Sequence, residues 1–310
     1  FPGEASLDAR PACEGRCATK PSTAGWLFAA PALTVIGLFF GLPVIAALAL
    51  SLTDFDIYAL ADLGNLRFVG LDNYIGLLQN PLFWKSLGNT LYFVIVGVPL
   101  SVAMSLGAAL LLHSRLGKLK PFFRTVYFAP VVTTVVAVAV IWRYLFHTKY
   151  GLVNWLLSFV GIDPIDWLGD PTWAMPTIIL FAVWKNFGYN MIIFLAGMQS
   201  IPEDLYEAAR IDGAGTWKQF RHITLPMLGP VLLLVGILTM AGYFQLFAEP
   251  YVMTQGGPLE STKSVLYLMY EEGFKWWNLG NASAVAFLLF ILMVATTSGL
   301  LWFARRKGVE

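Results

Sequence analysis

Two long apolar stretches are joined by Ser200-Ile-Pro-Glu-Asp-Leu-Tyr-Glu-Ala-Ala-Arg-Ile-Asp-Gly-Ala-Gly-Thr-Trp-Lys-Gln-Phe-Arg-His-Ile-Thr-Leu-Pro226. This connection is too long for a tight turn, and its residues are ordered for two short helices. Pro202 suits the first helical position, where its missing N–H costs nothing. Glu203 and Asp204 then face the positive end of the helix dipole. Glu207, Ala208 and Ala209 are good helix formers, and the small alanines permit close approach by another surface. Gly213 and Gly215 stop the helix and allow positive φ. Thr216, with Gln219 three residues on, has the pattern of a capping box that opens a second helix. That helix carries Trp217, Phe220 and His222 before Pro226. Such a helix–glycine–helix elbow suits either the docking of a partner or an amphipathic turn lying on lipid headgroups.

The surrounding sequence belongs in lipid. Of 310 residues, 57% are hydrophobic and 13% charged, with a mean hydropathy of +0.67. Soluble domains are about a quarter charged. Disorder, a coiled coil and a disulfide-stapled secreted module are excluded, and a net charge of +1 gives nucleic acid no bulk attraction. Cys13 and Cys17 form a lone CxxxC near the N-terminus, too little for a metal site. A hydrocarbon core takes about 20 apolar residues per helix. Six stretches qualify: Trp26–Leu52, Leu87–Leu112, Phe122–Phe146, Trp173–Gln199, Leu225–Ala248 and Ala282–Phe303. Each is predicted as helix, because lipid offers no partner to open backbone groups.

Charge orients the spans. One set of loops holds Arg10, Arg16, Lys20, Arg115, Lys118, Lys120, Arg124, Arg210, Lys218, Arg221, Arg305, Arg306 and Lys307. The opposite loops hold Arg67, Lys85, Lys149, Lys263 and Lys275, together with acids such as Asp54, Asp56, Asp163 and Asp166. The basic side is expected to be cytoplasmic, which puts both termini and the 200–226 elbow inside. Residues 1–23 contain Glu4, Asp8 and Glu14 and lack the apolar core of a signal peptide; they read as a loose cytoplasmic tail. Residues 24–310 then form one all-α, six-helix membrane domain.

The elbow also carries a resemblance. Glu207-Ala208-Ala209, then Gly213 after three residues, Ile223 after nine more, and Leu225-Pro226 is similar at every defining position to the EAA loop of permease subunits of binding-protein-dependent ABC importers. The Asp212-Gly213-Ala214 version resembles that of sugar permeases. The run from Trp184 to Pro202, the Thr254-Gln-Gly-Gly-Pro258 segment with Thr262, and Gly151 with Asn154 resemble the maltose and glycerol-phosphate permease group. The resemblance covers roughly Trp26 to Lys307. It implies the type I permease fold and a bacterial inner-membrane location. It also implies a second permease chain, two ATPase subunits and an extracytoplasmic solute-binding protein as partners. Glu207, Ala208, Ala209, Asp212 and Gly213 would contact the ATPase, with Trp217 and Phe220 in support. ATP and Mg belong to that partner. This chain has no GxxxxGK[ST] loop, since Gly117-Lys118 lacks both the upstream glycine and the following hydroxyl residue.

Polar groups inside spans mark a solute path, because they are costly in lipid. Lys185, Asn186, Tyr189 and Asn190 lie on the fourth span, and Thr239, Tyr243, Gln245 and Glu249 on or beside the fifth. Aromatic faces beside hydrogen-bonding groups suit a sugar. Aligned through the EAA loop, the solute contacts of the maltose permease fall on Lys185, Asn186, Tyr189, Thr239, Tyr243 and Leu246. Lys185 can instead snorkel or pair within the bundle. If it faces a phosphate, glycerol 3-phosphate becomes the rival solute. A carrier working alone is the other alternative, although such carriers usually show paired repeats and none is visible. Arg143 is placed at the outer end of the third span, and Gly37 with Gly41 is expected to form a helix-packing face.

Overall fold

A computed structural model describes residues 23–62, 64, 66–113 and 119–306. The tail with Cys13 and Cys17, and the basic residues Arg115, Lys118 and Lys307, lie outside the described residues. The chain divides into two compact units, residues 1–47 and 48–310.

The first unit holds α1 (Thr23–Ile36), a π turn at Gly37–Gly41 and the start of α2 (Leu42–Ser51). Pro43 has no N–H to offer the carbonyl of Phe39, so the ladder widens to a π turn. Gly37 and Gly41 do not pack as expected: a Cβ at either would meet nothing within 4 Å. Phe28, Leu33, Ile36, Phe39, Phe40 and Ile45 are all exposed. A helix apolar on every side needs a non-aqueous surrounding.

The second unit opens with α3 (Ile57–Ala61), capped by Asp56, whose carboxylate accepts from the N–H groups of Tyr58 and Ala59 at 2.9 and 3.0 Å. Then come α4 (Asp72–Gln79), α5 (Pro81–His113), α6 (Lys120–Val132), α7 (Val135–Leu145), α8 (Leu152–Ser158) and α9 (Pro171–Gln199). After them run α10 (Glu203–Ile211), α11 (Thr216–Gln219), α12 (Leu225–Met227), α13 (Gly229–Phe244), α14 (Ala248–Met253), α15 (Val265–Tyr270) and α16 (Leu279–Arg306).

Among the described residues, four helices are long and apolar enough to cross a membrane: Phe28–Ser51, α5, α9 and α16. The third and fifth expected spans are not straight rods. The third is α6 and α7, bent by 99° at Thr133–Thr134, and the fifth bends by 67° at Leu228. Each bent pair taken as one span brings the number to six. Both breaks have a sequence cause. Thr133 and Thr134 adopt extended backbone, and the Thr133 hydroxyl donates to the freed Pro130 carbonyl at 2.7 Å. Pro230 starts α13 afresh after Leu228 because it cannot continue the preceding ladder.

Helix α9 is the axle. It is the most buried of the spans and contributes to both apolar clusters. Phe181 joins Phe93, Tyr243 and Phe244 in one; Phe187, Met191 and Phe194 join Ala109, Leu228 and Val235 in the other. Its closest neighbours are α5, α6 and α13. Gly188 lets α6 approach, since a Cβ there would lie 2.1 Å from the Tyr127 carbonyl oxygen.

Asparagine amides hold the loops on the side opposite α10. Asn154 donates to the carbonyls of Thr148 and Ile165 at 2.9 and 2.8 Å and accepts from the Trp167 indole at 2.8 Å. Asn89 on α5 donates to the carbonyls of Glu260 and Lys263 at 2.8 and 2.9 Å. In a fold without a sheet to receive them, loop carbonyls need such donors.

Candidate functional site

The elbow forms where the sequence placed it, with altered capping. Pro202 is the N-cap residue and α10 begins at Glu203, one residue later than expected. Asp212 ends α10, and Gly213 follows at φ +74°. The Gly213 N–H donates to the Arg210 carbonyl at 3.1 Å and the Ala214 N–H to the Ala209 carbonyl at 2.8 Å. These two bonds and the left-handed glycine complete a Schellman motif. Gly215 has an ordinary φ of −68°, so only Gly213 needs glycine's freedom. The expected capping box does not form. Gly215 is the N-cap of α11, and the Gln219 amide donates instead to the Ala214 carbonyl at 2.9 Å, across the elbow. The second helix is short, one turn of α11 and then a π turn at Phe220–Thr224.

Tyr206 and Thr224 share a hydroxyl–hydroxyl bond of 2.9 Å that ties α10 to this second arm. Glu207, Ala208, Asp212 and Gly213 are all exposed in this chain, as are Ile211 at 86% and Trp217 at 69%. Phe220 is half-buried and packs on Trp217, the ring centroids 5.5 Å apart. Arg210 lies 3.8 and 3.9 Å from the carboxylates of Glu203 and Glu207. Ion pairs this exposed are worth little energy. The backbone motif and the Tyr206–Thr224 bond give the elbow its rigidity.

A cavity of about 310 Å³ opens between α9 and α13. Asn186, Tyr189, Asn190, Thr239, Tyr243 and Leu246 line it, with Gln245 and Glu249. Five of the six expected lining residues therefore share one wall system. Lys185 lines an adjoining cavity of about 360 Å³, which shares Asn186, Gln245 and Glu249 with the first. The Lys185 ammonium donates to the Val131 carbonyl at 3.2 Å, at the frayed end of α6. A broken helix leaves such carbonyls without partners, so the break and the buried lysine satisfy each other. Lys185 and Tyr189, four residues apart, differ in surroundings: the lysine is buried and the tyrosine exposed.

Asn190 joins the two helices across the cavity, its amide donating to the Thr239 hydroxyl at 2.8 Å. Tyr243 is only 4% exposed, and its hydroxyl is set among the polar side chains of Ser101 and Asn186.

Residues 99–308 match the family of binding-protein-dependent transport system inner membrane components. The chain belongs to this family. It is 38% identical over 287 residues to the lactose transport system permease protein LacF of Rhizobium radiobacter, covering 91% of this chain and 94% of that one. It is also 38% identical to the trehalose/maltose transport system permease protein MalF of Thermococcus litoralis, covering 88% and 90%. Its fold resembles a bacterial ABC transporter involved in the import of the acidic polysaccharide alginate. The TM-score is 0.77 at 23% identity, covering 92% of this chain and 96% of that one.

The family's matched region contains the elbow and all of the cavity's lining except Phe93. Sequence reasoning missed two cavity walls, Phe93 on α5 and Val131 on α6. Neither carried a signal, because apolar residues on spans are what lipid alone would select. Asn190, Gln245 and Glu249 were visible as polar residues at membrane depth, but only the fold shows that they share the cavity.

Proposed function

We propose that this chain is one of two permease subunits in an ATP-driven importer that carries a neutral di- or oligosaccharide into the cell. An extracytoplasmic binding protein delivers the sugar. Separate ATPase subunits supply the ATP and Mg chemistry and grip the elbow from the cytoplasm, with Glu207, Ala208, Ala209, Asp212 and Gly213 as the contact and Trp217 and Phe220 behind it. ATP draws the elbows together, and the permease pair opens outward to receive solute; return of the elbows reverses the opening. The observation that carries the reading is the cavity between α9 and α13, where the amides Asn186, Asn190 and Gln245 and the Thr239 hydroxyl stand beside the rings of Phe93, Tyr189 and Tyr243. Sugar hydroxyls would pair with the amides, and the rings would meet the sugar's apolar faces. The chain's resemblance to permeases named for lactose and for trehalose/maltose supports the same solute class.

Glycerol 3-phosphate fits less well. Glu249, the one charged residue lining the 310 Å³ cavity among the described residues, is an acid, and the Lys185 ammonium is already directed to Val131. The test is uptake into proteoliposomes holding the assembled importer and its binding protein, with lactose, trehalose, maltose, maltotriose and glycerol 3-phosphate as probes. ATP-dependent accumulation of a neutral sugar is expected. Accumulation of glycerol 3-phosphate alone, or of none of the sugars, overturns the solute assignment; uptake without any ATPase partner overturns the importer assignment.

A further inference from the structure

An aromatic ladder leads away from the second cavity. Phe247 lines that cavity beside Lys185, Gln245 and Glu249. Its ring lies 5.3 Å from Tyr251, nearly parallel, and 5.0 Å from Tyr270. Tyr251 and Tyr270 are 5.5 Å apart, and Tyr270 continues to Phe274 at 5.6 Å in a second stacked pair. Behind them, buried Tyr267 backs Phe247 and Tyr251 at 6.0 and 5.9 Å. Two of the four rings are open to the surroundings. Phe247 and Tyr270 are half-buried, Tyr251 is 42% exposed and Phe274 is 63% exposed. The rings come from α14, α15 and the π turn Glu271–Lys275, all in the connection that the charge count assigns to the extracytoplasmic side.

Packing alone does not account for this arrangement. A core cluster would bury its rings, whereas here Tyr251 and Phe274 are exposed. An interfacial belt would set rings side by side at one depth, whereas this series ends at a polar cavity. Tyrosine offers a large rigid face at low entropic cost, with a hydroxyl at its tip. Saccharides match that chemistry, having apolar C–H faces and hydroxyls around the rim.

We propose that Phe247, Tyr251, Tyr270 and Phe274 form a stacking track that holds a neutral saccharide released at the outer face and passes it to the cavity beside Glu249. The track rests on the sugar-import reading, and the experiment separates the two. In the reconstituted importer, uptake of lactose, trehalose, maltose and maltotriose is measured together with binding-protein-stimulated ATP hydrolysis. The variants are Tyr251→Leu, Tyr270→Leu and Phe274→Ala, with Tyr251→Phe and Tyr270→Phe as controls that keep the ring. Each leucine variant is expected to lower uptake about three- to tenfold while ATP hydrolysis stays within about twofold, because sugar is lost after release and not before. The phenylalanine variants should stay close to wild type. Equal losses of uptake and hydrolysis would reveal a merely structural role and overturn the track. So would unchanged uptake in all leucine and alanine variants, or phenylalanine variants as impaired as leucine. If wild type takes up none of the four sugars, the solute assignment itself fails and the track falls with it.

Discussion

At the scale of single residues, Tyr243 sets a polar group in the cavity wall beside Ser101 and Asn186. Tyr243→Phe keeps the ring and removes the hydroxyl, so sugar uptake should fall roughly tenfold for the loss of one hydrogen bond while the melting temperature of the purified complex stays close to wild type. A variant that melts earlier and transports normally would assign the hydroxyl to structure. Gly188 makes the opposite case. A Cβ there meets backbone of α6 at 2.1 Å, which side-chain rotation cannot relieve. Gly188→Ala should cost about 1–3 kcal/mol of stability, typical of overpacking, and lower the melting temperature whatever it does to transport.

At the scale of elements, the proposed importer uses the elbow as a transmitter. Gly213 has open space around it, so its constraint is conformational and not steric. A β-branched residue at φ +74° breaks the Schellman motif, where a left-handed residue costs roughly 1–2 kcal/mol. Gly213→Val is expected to let the ATPase hydrolyse ATP with little sugar moved, and Gly213→Asn, which tolerates that φ, to restore much of the coupling. Normal uptake per ATP in Gly213→Val would refute the transmitter role. On the other side, the turn after α15 is clasped by charge. Glu271 lies 2.9 Å from the ammonium of Lys263 and 3.1 Å from that of Lys275. Burial alone would raise its carboxyl pKa; the two lysines outweigh burial and hold it below the usual 4.5. A lowered carboxylate stabilises the fold fully above 4.5 and ceases to do so as pH falls through its depressed value. Melting curves below pH 4.5 should therefore drop less steeply in Glu271→Gln than in wild type, and a parallel pair of curves would remove the clasp from the acid response.

At the scale of the whole molecule, α9 connects the parts. It carries Asn186, Tyr189 and Asn190 at the cavity and ends at Gln199, directly before the elbow. In the proposed importer, motion of the elbow would thus reach a helix that forms the cavity wall. Ala208 is exposed, and the proposal places it in the ATPase contact. Ala208→Trp should abolish co-purification of the ATPase subunits while leaving the melting temperature of this chain unchanged. Retained co-purification would move the docking surface elsewhere.

The long apolar helices, the elbow and its left-handed glycine were legible in the sequence, because lipid demands long apolar helices and a Schellman turn demands glycine. Polar residues at membrane depth likewise announced the cavity helices. The bends at Thr133 and Leu228 were not legible, since an apolar run reads the same whether one helix or two cross the bilayer. Nor was the separation of Lys185 from Tyr189, which follows from which neighbour each meets across the bundle. Local sequence dictates backbone propensity and solvent preference. Only tertiary packing decides which carbonyl a buried lysine finds, which polar groups share a cavity, and which rings line up beside it.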